Sequence, residues 1–319
     1  MSATHPPVGD APRIVVLGSL NMDLVLRVPR APGAGETLLG RSLATIPGGK
    51  GANQAVSCAR QGAAVQMIGC VGRDAHGIAL RASLEADGID TTGLQVATAA
   101  PTGTALIQVE DNGQNRIVIV PGANAQVVVD GDALARQLAG AAFLVMQFET
   151  PLDQAARAID AARRVGCRVL LNPSPVQAVP DAWWPVIDTL VVNEVEAQVL
   201  AGRAAETPAQ AAQAASALRA RGAGRVVVTL GSRGAVAVDA DGARHHPAPV
   251  VRAVDTTAAG DTFLGALAVA LAQGRGFDAA VALGIRAAAL CIQHAGAQPS
   301  IPTREAVHTS PAAPAWTSL

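Results

Sequence analysis

Six short runs dictate what this chain can fold into: "RIVVLG" (13–18), "AAVQMIGCVG" (63–72), "AAFLVMQ" (141–147), "CRVLLNP" (167–173), "DTLVVN" (188–193) and "GRVVVTLG" (224–231). All are apolar and rich in β-branched residues, and most end at Gly, Asn or Pro, the pattern of a buried strand. Helix-like stretches alternate with them: "GANQAVSCARQG", "DAHGIALRASLEADG", "PLDQAARAIDAARRVG", "EVEAQVLAG", "TPAQAAQAASALRARG" and "DTFLGALAVALAQG". Strands that are apolar throughout need cover on both faces. The expected fold is therefore α/β, a mostly parallel central sheet with helices on both faces. In such sheets ligands bind beyond the carboxyl ends of the strands. Half of the 319 residues are hydrophobic, yet only 2% are aromatic and none is Tyr, so the core is built from Ala, Val, Leu and Ile.

Two segments break the alternation. "DLVLRVPRAPGAGETLLGRSLATIP" (23–47) and "TGTALIQVEDNGQNRIVIVPG" (102–122) read as β-hairpins, the second turning at "EDNGQN". Two insertions, at about 21–47 and 101–122, would make a small β-sheet lid over the carboxyl edge of the main sheet, a device that excludes water. The remaining alternative is a pair of plain surface hairpins. Residues 1–12 lack the apolar stretch of a signal peptide and read as a flexible leader. Residues 305–319 read as a loose tail.

Charge and cysteine usage narrow the function classes. The net charge of −1 gives no basic face for nucleic acid. There is no apolar run of about 18 residues to span a membrane. Cys58, Cys70, Cys167 and Cys291 form no CxxC pair and read as small buried hydrophobes of a reducing, cytoplasmic compartment. Adjacent His245 and His246 would face opposite ways on a strand, a poor start for zinc.

Polar motifs cluster where strands end. Asn21 and Asp23 in "GSLNMD" share one face of an extended segment and suit neighbouring sugar hydroxyls, or else make an Asx turn. "PGGKGANQA" (47–55) is a glycine-rich turn entering a helix, fit for an anion or for close approach to a polyhydroxyl ligand; it is neither a Walker A loop nor GxGxxG. Glu149 ends one strand, and Asn193 and Glu196 follow another. The latter pair would order water around Mg²⁺ or simply cap a helix. "TLGSRGA" (229–235) suits nucleotide contacts or a hairpin.

The densest motif is "DTTAAGDTF" (255–263), two carboxylates around a knot of small residues before an apolar helix. Unpaired N–H groups of Ala258, Ala259 and Gly260 would converge on one spot, reinforced by the helix dipole, and form an anion hole for a phosphoryl group. Asp261, expected at its rim, is placed to take a proton from an attacking hydroxyl. The alternative is a helix-capping Asp. Asp255, six residues upstream, braces the turn through its own hydrogen bonds or a bound cation.

"GSLNMD", "GGKGANQA", "MQFETP", "VVNEVEAQ", "TLGSRG", "AVDTTAAGDTF" and "GAQPSIP" occur in an order that resembles the ribokinase-like, or phosphofructokinase-B, sugar kinases. The resemblance runs from Arg13 to Arg304 and includes the D-T-x-A-A-G-D element, Asp255 to Asp261. It implies one kinase domain over 13–304, a nine-stranded or similar core, and a β lid that forms a homodimer interface. It implies transfer of the γ-phosphate of ATP to the 5-hydroxyl of D-ribose. By position, Asp261 is similar to the base, and Asn21, Asp23, Gly49, Lys50, Asn53 and Glu149 to the sugar contacts. Asn193, Thr229, Gly231, Ser232 and Gly260 resemble nucleotide contacts, with Glu196 near Mg²⁺. A monovalent cation site, K⁺ by expectation, would use Asp255 and Ser300 with the carbonyls of Thr257, Cys291, His294 and Gly296. Two departures stand out: Leu264 replaces an Asn found in several relatives, and the segment after Thr303 is rich in Pro and Ala rather than helical. Few aromatic residues disfavour a nucleoside substrate, the intact Asp261 turn argues against a non-catalytic binding protein, and the lack of GxGxxG argues against a dehydrogenase.

Overall fold

The computed structural model describes residues 11–112 and 114–319. The expected leader, 1–12, lies outside the described residues except for its last two, as does Gly113 of the "EDNGQN" turn. The chain enters through strand β1 (Arg13–Leu17), leaves the core as β2 (Asn21–Val28) and β3 (Ser42–Gly48), and returns through helix α1 (Lys50–Arg60). There follow β4 (Ala64–Gly72), α2 (Ala75–Ala86), β5 (Asp90–Ala97) and a second excursion, β6 (Gly103–Glu110) and β7 (Asn115–Val120). The middle comprises α3 (Gly131–Leu138), β8 (Phe143–Gln147), α4 (Leu152–Val165), β9 (Arg168–Asn172), β10 (Ile187–Asn193), α5 (Glu194–Ala201), α6 (Pro208–Ala220) and β11 (Arg225–Thr229). The last part holds β12 (Ala235–Asp239), β13 (Gly242–His246), α7 (Ala259–Ala272), α8 (Phe277–Cys291), α9 (Arg304–Thr309) and β14 (Thr317–Ser318).

Ten strands form the main sheet in the order β14-β13-β12-β11-β10-β9-β8-β1-β4-β5. Pairing is parallel from β11 to β5, and β12 to β14 add an antiparallel edge. The two-strand periodicity of β1 divides its side chains between two cores: Val15 and Leu17 enter one, Ile14 and Val16 the other. Helices α3 to α6 cover the first core, and α1, α2, α7 and α8 the second. From β1 the sheet grows one way through β4 and the other through β8. The carboxyl end of β1 is therefore the point where strand order reverses, the place where such sheets bind ligands.

Small residues bring α1 and α7 close together. A Cβ built on Gly265 of α7 would lie 2.9 Å from the Cys58 nitrogen of α1. Ser57 Oγ donates to the Thr262 carbonyl across the same gap at 2.9 Å. Helix α7 is buried from Asp261 through Leu271, so it threads the core with its N-terminus at the carboxyl edge of the sheet. No described helix is long and apolar enough to cross a membrane.

The two excursions meet in a separate four-stranded sheet, β3-β2-β6-β7, with β2 and β6 parallel. Strand β7 is exposed along its whole length, including Ile117, Val118, Ile119 and Val120.

The tail corrects the expectation for 305–319. Thr303 caps α9 through a bond from the Ala306 N–H, Val307 is fully buried, and the Arg286 guanidinium takes up the carbonyls of Val307 and Ser310 at 2.5 Å each. Thr317 and Ser318 then pair with β13. The Pro- and Ala-rich composition hid a short capped helix whose orphan carbonyls are satisfied by a distant arginine.

Candidate active site

The N-terminus of α7 has an unusual entry. Ala258, immediately before it, has φ 60°, the one positive φ outside glycine among the described residues, and no side chain caps the helix. The N–H groups of Gly260 and Asp261 have no protein acceptor, while that of Ala259 makes a long 3.3 Å bond to the Thr256 carbonyl. A Cβ on Gly260 would meet nothing within 4 Å, so the space above the turn is open. The turn thus presents free N–H groups at a positive helix end with no side chain in the way, the features that suit an anion.

Asp261 is 7% exposed and forms part of the floor, not the rim as the sequence reading has it. The reason is that it is the third residue of α7, inside the first turn of a buried helix, and not a cap. Asn53 Nδ2 donates to its Oδ2 at 3.0 Å and Gln54 Nε2 to its Oδ1 at 2.9 Å. Burial pushes its pKa up, opposed by the Lys50 ammonium and those two amides. Lys50 opens α1. Burial disfavours its charge, but Asp261, Glu149 and Glu196 outweigh that and hold its pKa above the ordinary value.

Across from the base, Asn21 and Asp23 are buried at 3% and 6% exposure at the start of β2. Burial, then Glu149, then Asp261 push Asp23 up to about 7. Ser19 hydrogen-bonds Glu149, whose Oε2 also accepts weakly from the Lys50 N–H at 3.4 Å. Burial raises Glu149 as well, against the pull of Lys50. Asn53 Oδ1 is buried with no partner, so one acceptor in this concavity is unsatisfied. Gly49 adopts φ 90° and lets the "GGKG" turn sit against the link between β1 and β2.

Two cavities flank the turn and share Gly260. One is polar and lined by Lys50, Asn172, Ser174, Asn193, Glu196 and Asp261. The other is apolar, with Thr229, Gly231 and Ser232 at one side and Val250, Phe263 and Ile292 among its walls. The model of the pfkB family of carbohydrate kinases matches residues 11–304. The chain belongs to that family.

Among its relatives, the ribokinase of Haemophilus influenzae is 40% identical over 92% of this chain and 96% of its own. The deoxyribokinase of Salmonella typhi is 35% identical over 92% and 96%. A solved structure of Arabidopsis thaliana ribokinase, complexed with ribose and ATP, superposes with a TM-score of 0.87 at 33% identity, covering 93% of this chain and 98% of that one. In this pfkB kinase Lys50, Asn193, Glu196, Thr229, Gly231 and Asp261 line the polar cavity and Ser232 the apolar one, while Asn53 bonds Asp261, and Asp23 and Glu149 lie close enough to it to feel its charge, without lining either cavity.

Asn193 and Glu196 form a reciprocal capping box at α5: Asn193 Oδ1 accepts from the Glu196 N–H at 2.8 Å, and Glu196 Oε2 from the Asn193 N–H at 2.9 Å. Both residues still line the polar cavity, so capping and ligand contact coexist. Asp255 accepts from the Thr257 N–H (2.9 Å), the Thr257 hydroxyl (2.7 Å) and the Gly296 N–H (2.9 Å). Burial opposes its ionisation, but those bonds outweigh it and hold its pKa below the usual carboxylate range. Cys291 Sγ lies 3.1 Å from Ser300 Oγ and 3.7 Å from the Thr257 carbonyl. The His294 side chain is exposed, while its N–H bonds the Cys291 carbonyl at 3.1 Å.

Sequence reasoning missed four residues of the pfkB site. Asn124 clamps the β1–β2 link, donating to Asn21 Oδ1 at 2.8 Å and the Leu20 carbonyl at 3.0 Å, and accepting from the Leu20 N–H at 2.9 Å. Ser19, Gln54 and Gln147 are the others. Ser19, Gln54 and Gln147 each lie inside a motif singled out above, "GSLNMD", "GGKGANQA" and "MQFETP", whereas Asn124 lies in none.

Proposed function

We infer that this pfkB kinase transfers the γ-phosphate of ATP to the 5-hydroxyl of D-ribose, giving ribose 5-phosphate and ADP. The observation that carries the reading is the place of Asp261: buried, held by two amides, bonded to Asn53 on one side and, on the other, lining with the free N–H groups of its turn a polar cavity that adjoins an apolar one. Asn21, Asp23 and the unsatisfied Asn53 Oδ1 orient the sugar hydroxyls. Asp261 takes the proton of the attacking hydroxyl as the bond from O5 to the γ-phosphorus forms. The bond to the β-phosphate oxygen breaks and its electron pair leaves with ADP. N–H groups of Gly260 and Asp261, with Lys50, take up the charge that develops. ADP release scored over a panel of pentoses, 2-deoxyribose, hexoses and nucleosides tests the reading. Ribose is expected to lead, and a preference for 2-deoxyribose would move the chain toward its deoxyribokinase relative.

Mg²⁺ fits beside Glu196, whose Oε1 makes no hydrogen bond and faces the polar cavity; bound there, through water, it would neutralise phosphate charge. A K⁺ site fits the oxygen-rich loop of Asp255, Thr257, Gly296 and Ser300, and an ion there would stiffen the turn that carries the anion hole. KCl titrated against NaCl in tetramethylammonium buffer is expected to raise kcat and leave both KM values nearly unchanged. Indifference to K⁺ would leave Asp255 as a brace through its own hydrogen bonds.

Asp23→Ala is expected to raise the ribose KM more than the ATP KM, because a lost hydrogen bond to a charged group costs about 1.5–3 kcal/mol. Equal effects on both substrates would reduce Asp23 to a turn residue. The small sheet is read as a lid and as the contact of a homodimer, since Leu106 and Ile117 to Val120 expose apolar surface on it. Sedimentation is expected to give a dimer, which Ile119→Lys would dissociate; a monomer at working concentration contradicts the dimer and not the lid. Buried thiols with no disulfide among the described residues accord with a cytoplasmic location.

A further inference from the structure

We propose that Gln54, backed by Gln147, is a positioning residue that fixes the orientation and the ionised state of Asp261; the proposal rests on the reading of Asp261 as the base. Gln54 and Gln147 are both fully buried, which is costly for an amide unless its hydrogen bonds are worth more than apolar packing. Gln147, at the end of β8, donates from Nε2 to Gln54 Oε1 at 2.5 Å. That bond sets which way the Gln54 amide faces: its oxygen is taken, so its nitrogen points at Asp261 Oδ1, 2.9 Å away. Asn172 Oδ1, 3.4 Å from the same nitrogen, reinforces the choice. Asn53 supplies the matching donor to Oδ2 at 3.0 Å.

A carboxylate that accepts from one amide on each oxygen is fixed in its plane. It is also favoured in one protonation state, because a proton on either oxygen would face an N–H donor. Burial works the other way and favours the neutral acid. The Gln54 amide, oriented by Gln147, thus joins the Lys50 ammonium and Asn53 in favouring the ionised carboxylate that burial opposes. Both glutamines are 0% exposed and bond other side chains, so they act from beneath the site.

Gln54→Met keeps the volume and removes the donor. The expected result is a fall in kcat of about ten- to a hundredfold, the range for a lost hydrogen bond to a charged group. The ribose KM should stay within about threefold of its starting value, because the sugar contacts are untouched. The acidic limb of the kcat profile should move to higher pH, since loss of a donor to the carboxylate raises its pKa. Gln147→Met, which does not touch Asp261, should shift both readouts the same way by less, and it keeps the question open to test if Gln54→Met fails to fold. Unchanged kcat in both variants, or a loss of kcat with a stationary acidic limb, would overturn the proposal. Asp261→Asn run alongside separates the two readings: an inactive Asn variant beside a fully active Gln54→Met rejects the positioning role alone, whereas an active Asn variant rejects the base itself.

Discussion

Asp261→Asn is expected to lose at least about 10²-fold in kcat while keeping the fold and most of the ribose affinity. The substitution is nearly isosteric and the site is buried, so no cavity opens. One of the two amide bonds survives on the new carbonyl oxygen; the other meets an N–H on the Asn side chain and is lost. The stability cost is therefore that of a single hydrogen bond. The anion hole is made by backbone and stays intact, so residual turnover from positioning alone remains. Steady-state rates of ADP release, with ribose binding followed by calorimetry, check this. Turnover near that of the parent would mean that another group accepts the proton.

The second large effect falls on stability. Gly49→Ala is expected to destabilise the fold by about 2–6 kcal/mol, as the sum of backbone strain and overpacking. Gly49 has φ 90°, a region that residues with a Cβ rarely enter. The added carbon would also lie 2.6 Å from the Asn21 nitrogen and 2.9 Å from the Leu20 Cα. Both are backbone atoms of the link that Asn124 clamps, so they cannot step aside. Thermal unfolding should show the loss directly, and a midpoint within a degree of the parent would contradict the crowding argument. Because the crowded atoms carry Asn21, what protein survives should bind ribose poorly.

The strands that were legible were those whose apolar character extends over both faces, such as β1, β8 and β10, for which burial leaves no other reading. Strand β5, with exposed and buried residues intermixed, and the β12–β13 edge gave no such run. Helix α8 is apolar on most of its surface and carries little periodicity to read. In the site, Asp261 and its small-residue turn were legible because anion hole and carboxylate are contiguous in sequence. The contacts of Gln54 and Asn124 span 207 and 104 residues, and no local pattern encodes which distant segment a buried amide will face. Asp261 was placed at the rim for the same reason: its depth is set by how closely α1 and α7 approach, a tertiary quantity.

The base and the anion hole share a single turn of α7, whereas Asn21 and Asp23 belong to a strand of the small sheet. This division sorts the distances in the site by how much they can vary. The spacing between the Asp261 carboxylate and the N–H groups of its turn is set within one helix and is independent of the small sheet. The spacing between Asp261 and the Asn21–Asp23 pair is set instead by how the small sheet packs on the main one. With the small sheet as the proposed lid, its closure would govern selection among sugars and leave the α7 turn unchanged. Substitutions along β2, β3 and β6 should alter which sugar commits to reaction and leave the handling of ATP as it was.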